Sequence, residues 1–206
     1  MSVKEILSHL FSVIPKEQIV FIIWYGNKKG EDVDLFVVLK GNVHFGSLSN
    51  IPLDVGYIGI AWIPMMIKYL DPIITEPLLT GDVIYGQVGQ KEYYLLRQKI
   101  DADSSIYLLQ CAEIFYEWAV KLAFENKLRE SLFTLTFVHS YILYAFKYWS
   151  DNKIVTFKDL LHSDDGLLIM KNRKKAKQKL IFRSDVFLAF NQARKMLTDL
   201  RNVVGL

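Results

Sequence analysis

The chain has 206 residues, 51% of them hydrophobic, and a formal net charge of +3. That length allows one large or two small domains whose cores need no disulfide or structural metal, and the charge is too small to argue by itself for a nucleic-acid partner. The single cysteine, Cys111, has no second cysteine in the chain to pair with, which excludes a disulfide framework or a cysteine-rich zinc site and fits a reducing, cytoplasmic compartment.

The N-terminal segment MSVKEILSHLFSVIPKEQIV mixes charges into helical spacing and lacks the apolar core and small-residue cleavage site of a signal peptide. Within it Val3, Ile6, Leu7, Leu10 and Phe11 recur every three or four residues, which predicts an amphipathic helix over 3–13 that stops before Pro15. IVFIIWYG (19–26) and DLFVVLKG (34–41) are β-branched and aromatic runs closed by Gly, and both read as buried strands. The segment NKKGED between them is too short for a crossover helix, so the two strands are expected to pair as an antiparallel hairpin.

IPLDVGYIGI supplies a third strand with Asp54 within it or at its start. Residues 61–70 then show helical spacing, 72–79 form a short helix ended by Gly81, and VIYG is a further short strand. The longest apolar stretches, such as Gly56 to Ile67, fall short of the roughly 20 residues of a membrane span, so no membrane partner is expected.

From Asp101 onward Gly becomes rare and Pro is absent, and long apolar patterns of helical period cover 105–126 and 128–149. Further helices are expected over 157–161 and 184–200, the latter with Ser184 as its N-cap. The fold class read from this order is α+β: a small mixed sheet flanked by helices over residues 1–95, then a helical bundle over 96–206. An aromatic-rich bundle of this kind can hide a homodimer interface, because core and interface stripes look alike in one sequence.

Residues two apart on a strand point to one face, so Asp32 and Asp34 can converge on one ion, and Asp54 arrives from a neighbouring strand. Three carboxylates on adjacent strands suit Mg²⁺, which takes carboxylate oxygens together with water and substrate phosphates. A charged Asp beside VGYIGI and another directly before LFVVL are costly to desolvate unless paired or metal-bound. The spacing alone equally fits a turn residue at Asp32 and exposed strand ends at Asp34 and Asp54.

The four histidines, His9, His44, His139 and His162, have no ligand spacing and read as core or surface residues. The run KNRKKAKQK (171–179) reads as a solvated helix face or loop, or else as a surface for nucleic-acid phosphates. Lys121, Arg129 and Lys147 are exposed-face positions that could complete a pocket.

The order strand, Gly, turn, Asp-x-Asp with an apolar run, and then a strand carrying a third Asp resembles the minimal nucleotidyltransferases of the DNA polymerase β superfamily. DPIITEPLLTGDVIYG (71–86) is similar to the helix and Gly-x-apolar-apolar-Tyr piece that closes many bacterial members, and the helical half resembles the bundle of kanamycin-nucleotidyltransferase-like proteins. The resemblance implies an enzyme that uses Mg²⁺ to move a nucleoside monophosphate from an NTP, chiefly ATP, to a hydroxyl on a small molecule, protein or RNA. It implies that Asp32, Asp34 and Asp54 hold metal, with Asp54 also acting as base, and that Gly26, Asn27, Lys28 and Lys29 contact phosphate. The chain departs from the family in having Gly26-Asn27 where Gly-Ser is usual, and only four residues, Lys28 to Glu31, before Asp32. That trimmed phosphate loop fits an alternative, a catalytically impaired regulatory or partner-binding subunit on the same fold.

Overall fold

The computed structural model describes residues 2–26, 33–41, 53–87, 89–95, 98, 102–160, 162–178 and 181–205. The chain separates into two compact units, Met1–Lys99 and Ile100–Leu206. The fold class is α+β.

In the first unit, helix α1 (Val3–Val13) begins at a capping box: the Ser2 hydroxyl accepts from the Glu5 N–H at 3.3 Å while the Glu5 carboxylate accepts from the Ser2 N–H at 2.6 Å. The reciprocal bonds satisfy two N–H groups that the helix leaves over and hold the Glu5 carboxyl below its ordinary pKa. Strands β1 (Ile19–Tyr25), β2 (Asp34–Leu39), β3 (Asp54–Gly59) and β4 (Asp82–Gly86) form one sheet in the order β3-β2-β1-β4. β1 and β2 pair antiparallel as the expected hairpin, β1 pairs antiparallel with β4, and β2 pairs parallel with β3.

β2 reads as an unbroken apolar run because both sheet faces are covered. On one face Leu35, Val37 and Leu39 pack with Ile19 and Ile22 beneath Ile6, Leu10 and Ile14 of α1 and its C-terminal end. On the other, Phe36 and Val38 pack with Phe21 and Ile23 against α2 (Ile63–Lys68), α3 (Pro72–Thr80) and α4 (Gly89–Leu95). The register irregularity between Ile19 and Phe21 lets Ile19 and Ile22, three residues apart, face the same core, while Phe21 and Ile23 face the other. Each fully buried Leu, Ile or Phe contributes about 1.5–3 kcal/mol of transfer free energy, before conformational entropy is subtracted.

Two elements differ from the sequence expectation in this unit. The helix expected over 61–70 begins as a single 3₁₀ turn, Ile60–Trp62, and is regular only over α2, whose Pro64 sits in its first turn. α4 has no long apolar repeat and was not expected; its buried contact is Tyr94 alone, which packs toward Phe21.

The second unit holds α5 (Ala102–Phe124), α6 (Leu128–Asp151), α7 (Phe157–Leu160), α8 (Asp164–Ala176) and α9 (Arg183–Val204). α6 is its centre, packed against α5, α8 and α9 and buried on nearly every side from Ser131 to Ala145. Its hydroxyls are satisfied close to home: Thr134 donates to the Glu130 carbonyl at 2.8 Å, Ser140 to Thr136 at 2.8 Å, and Ser131 across to Ala119 of α5 at 2.8 Å. α8 was not foreseen, since its polar composition conceals the helical period; the first turns of the basic run belong to it.

α9 starts earlier than expected. Ser184 lies inside the helix, and the N-cap is Phe182. A phenylalanine has no oxygen to cap with, so the Asp185 carboxylate reaches back to the Phe182 N–H at 3.1 Å and is also paired with Lys175 of α8. That pairing with Lys175 holds the Asp185 carboxyl below the usual carboxylate range.

Among the described residues, no helix is long and apolar enough to cross a membrane.

Candidate active site

The site is built from the turn end of the β1–β2 hairpin and the start of β3. Tyr25, the last residue of β1, is the register partner of Asp34, the first of β2, so the hairpin brings Gly26 beside Asp34. Gly26 has φ +74, in the left-handed region that favours glycine. A side chain there would meet the Asp34 carboxylate: an added Cβ would lie 3.1 Å from Asp34 Cγ and 3.3 Å from its Cβ, and would overlap Oδ2 outright. The missing side chain of Gly26 is therefore the space into which the Asp34 carboxylate fits.

Asp34 is half-buried at the N-terminal end of an otherwise buried strand. By alternation it shares a sheet face with Phe36 and Val38, the face covered by α2 and α3. In the parallel pairing of β2 with β3, position 54 stands directly opposite Asp34 and Gly56 directly opposite Phe36. Residues in register on neighbouring parallel strands lie on the same face, so positions 34 and 54 occupy adjacent places at one end of the sheet.

The other expected site residues lie differently. Asp32, Asn27, Lys28 and Lys29 lie outside the described residues, as does the side chain of Asp54. Among the described residues no three His, Cys, Asp or Glu side chains gather as a metal site. The described part of the site thus consists of Gly26, Asp34 and the backbone position of Asp54.

The remaining candidates find structural places. Asp71, a buried carboxylate, caps α3 by accepting from the Ile73 N–H at 3.0 Å. Of the histidines, His9 faces solvent on α1 with its Nδ1 2.8 Å from the Glu5 carbonyl, His162 is exposed, His139 is fully buried in α6, and His44 lies outside the described residues. Lys147 pairs with Asp151 at 3.1 Å, Arg129 donates to the Gln178 carbonyl at 3.0 Å, and Lys121 is exposed on α5.

Sequence reasoning missed the fit of Gly26 to the Asp34 carboxylate. The only available signal was that Gly26 and Asp34 flank one short turn between two strands, and that becomes a contact only once the hairpin register is known.

No protein-family model matches the chain, and no curated protein matches it. Among solved structures it is similar to a nucleotidyltransferase-like protein from Exiguobacterium sibiricum, with 10% identity and a TM-score of 0.39 over 98% of this chain and 76% of that one. It is also similar to a chain of a mutant toxin–antitoxin MntA-HpeT, with 12% identity and a TM-score of 0.32 over 48% of this chain and 84% of that one.

Proposed function

We propose that the first unit is a magnesium-dependent nucleotidyltransferase domain that transfers a nucleoside monophosphate from an NTP, ATP first among them, to a hydroxyl acceptor. The observation that supports it best is the seating of the Asp34 carboxylate against Gly26, with position 54 in register beside it on a parallel strand. A structural aspartate at a strand start needs neither a left-handed glycine cut to fit its carboxylate nor a second aspartate in register.

The donor set fits a hard divalent cation: aspartates at the ends of adjacent strands, with water and phosphate oxygens completing the ion's coordination. Asp32 and Asp34 would hold the ion, and Asp54 would share it and accept the proton of the acceptor hydroxyl. The magnesium ion, when bound, supplies charge neutralisation at the transferring phosphoryl group. Gly26, Asn27, Lys28 and Lys29 would contact phosphate from the turn. Such a protein is expected to work in the cytoplasm, where Cys111 stays reduced.

The test is isothermal titration of ATP with and without Mg²⁺ into the wild type and into an Asp32→Ala/Asp34→Ala double variant. Expected is metal-dependent binding that weakens more than about 100-fold in a double variant that still unfolds at the wild-type temperature. A well-folded wild type that takes up no nucleotide would overturn the enzyme reading. That result would favour the second reading, a partner-binding subunit on the same fold, for which the four-residue stretch Lys28 to Glu31 is the supporting observation.

A further inference from the structure

One end of the helical unit gathers cations and bare aromatic rings from separate stretches of chain. The turn after α5 approaches the start of α9, where Arg183 Nη2 donates to Asn126 Oδ1 at 3.4 Å. The start of α6 approaches the end of α8 through the bond from Arg129 to the Gln178 carbonyl, and the end of α8 is tied to α9 through Lys175 and Asp185. Three phenylalanines at or next to these junctions are left uncovered: Phe124 is 89% exposed, Phe182 58% and Phe187 67%.

The positive charge there is in excess. Among the described residues Glu125 is paired with Lys127 at 2.7 Å and Asp185 with Lys175, while Arg129, Lys174, Lys177 and Arg183 are further exposed cations at these helix ends and Glu130 a further carboxylate. Helix electrostatics explains only part of this. Lys174 in the last turn of α8 complements the negative end of its dipole, but Arg129 in the first turn of α6 and Arg183 at the first position of α9 stand at positive ends, where a cation is disfavoured. Nor does folding account for Phe124, which contributes almost no buried surface.

We propose that this end of the helical unit binds single-stranded nucleic acid, with Phe124, Phe182 and Phe187 as stacking platforms for bases and Arg129, Lys174 and Arg183 as phosphate contacts. Along the chain each ring lies within five residues of a cation: Phe182 directly precedes Arg183, Phe187 follows it by one helical turn, and Phe124 lies five residues before Arg129. A polynucleotide likewise sets each flat apolar base close to an anionic phosphate, and unpaired bases have both faces free to stack. An anionic membrane surface would call for the rings to form one continuous face.

The test is fluorescence anisotropy with the full-length chain and a fluorescein-labelled 20-nucleotide oligouridine, its deoxy counterpart, and vesicles containing anionic lipid. Expected is salt-dependent binding of a single strand that falls about tenfold or more in Phe124→Ala/Phe182→Ala. Lys174→Gln should lower the slope of log affinity against log salt by about 0.7. Both variants replace exposed groups, and circular dichroism at 222 nm confirms that they fold. Failure to bind either strand at 50 mM salt, binding that the double phenylalanine variant leaves unchanged, or binding to vesicles alone would each overturn the proposal.

Discussion

Gly26 and Asp34 show how much one missing methyl group can decide. Replacing Gly26 with Ala adds a Cβ where the left-handed backbone resists it, at about 1–2 kcal/mol, and pushes that carbon into the Asp34 carboxylate. The expected outcome is a lower midpoint in urea unfolding, together with a loss of metal-dependent nucleotide binding larger than the lost stability explains. An alanine variant that binds nucleotide like the wild type would show that the carboxylate does not need its present position. The place of Asp34 at the head of β2 was legible in the sequence, because an Asp directly before an apolar run marks a strand start, whereas Asp32 and the side chain of Asp54 lie outside the described residues. The glycine's role was not: a Gly after a strand usually signals only a turn, and its contact depends on how two strands are aligned.

At the level of elements, α6 is the most exacting piece of the chain. It is buried on nearly every side, yet it carries His139, fully enclosed, whose ring nitrogens make no well-formed hydrogen bond among the described residues and have only a weak interaction with the Leu135 carbonyl. Burial pushes the His139 pKa down to about 4, against a smaller opposing pull from the Leu135 carbonyl one turn back. The folded protein therefore keeps the ring neutral where the unfolded chain, with an ordinary value near 6.5, binds a proton. This stabilising contribution is complete above pH 6.5 and is lost as pH falls from 6.5 towards 4, amounting to about 3 kcal/mol over that window. Urea unfolding at pH 7 and pH 5 should show a smaller loss in His139→Leu than in the wild type; equal losses would mean that the ring is hydrated or paired when folded. The helical period of α6 announced the helix and its aromatic core. It could not announce that the helix would be enclosed all round, because that depends on α8, whose polar sequence hides its own helical repeat. The start of α9 lies two residues before the expected one: Ser-Asp is the ordinary signature of an N-cap, but the Asp185 carboxylate, paired with Lys175, reaches back to the Phe182 N–H from the third helical position, and the cap is Phe182.

For the whole molecule, the two compact units each bury a substantial apolar set: the first on both faces of its sheet, the second around α6. Each is of a size at which a chain can fold without a disulfide or metal. Residues 1–99 and 100–206 expressed separately are therefore expected to unfold cooperatively in urea, each retaining helical circular dichroism. A fragment that stays unfolded alone would show that its core needs the other unit. The α+β class was legible because strand-like runs with Gly punctuation give way to long helical periods, a change of texture that survives without any knowledge of contacts. The pairing of β2 with β3 was less legible, since parallel neighbours are joined through a long connection that leaves no local mark.

That parallel pair also sets an order of assembly. Gly26 and Asp34 are brought together by a hairpin, a local event that needs only the chain between them. Position 54 reaches its place only after the chain has travelled back along the sheet and laid a third strand on β2, in a register where a slip of one residue would turn every side chain of β3 to the wrong face. A polypeptide emerging from the ribosome therefore carries the glycine and the first carboxylates well before it can present the last one. The proposed site is thus completed across a gap in time as well as in sequence, and a chain cut off between residues 39 and 54 holds both hairpin strands without the last carboxylate.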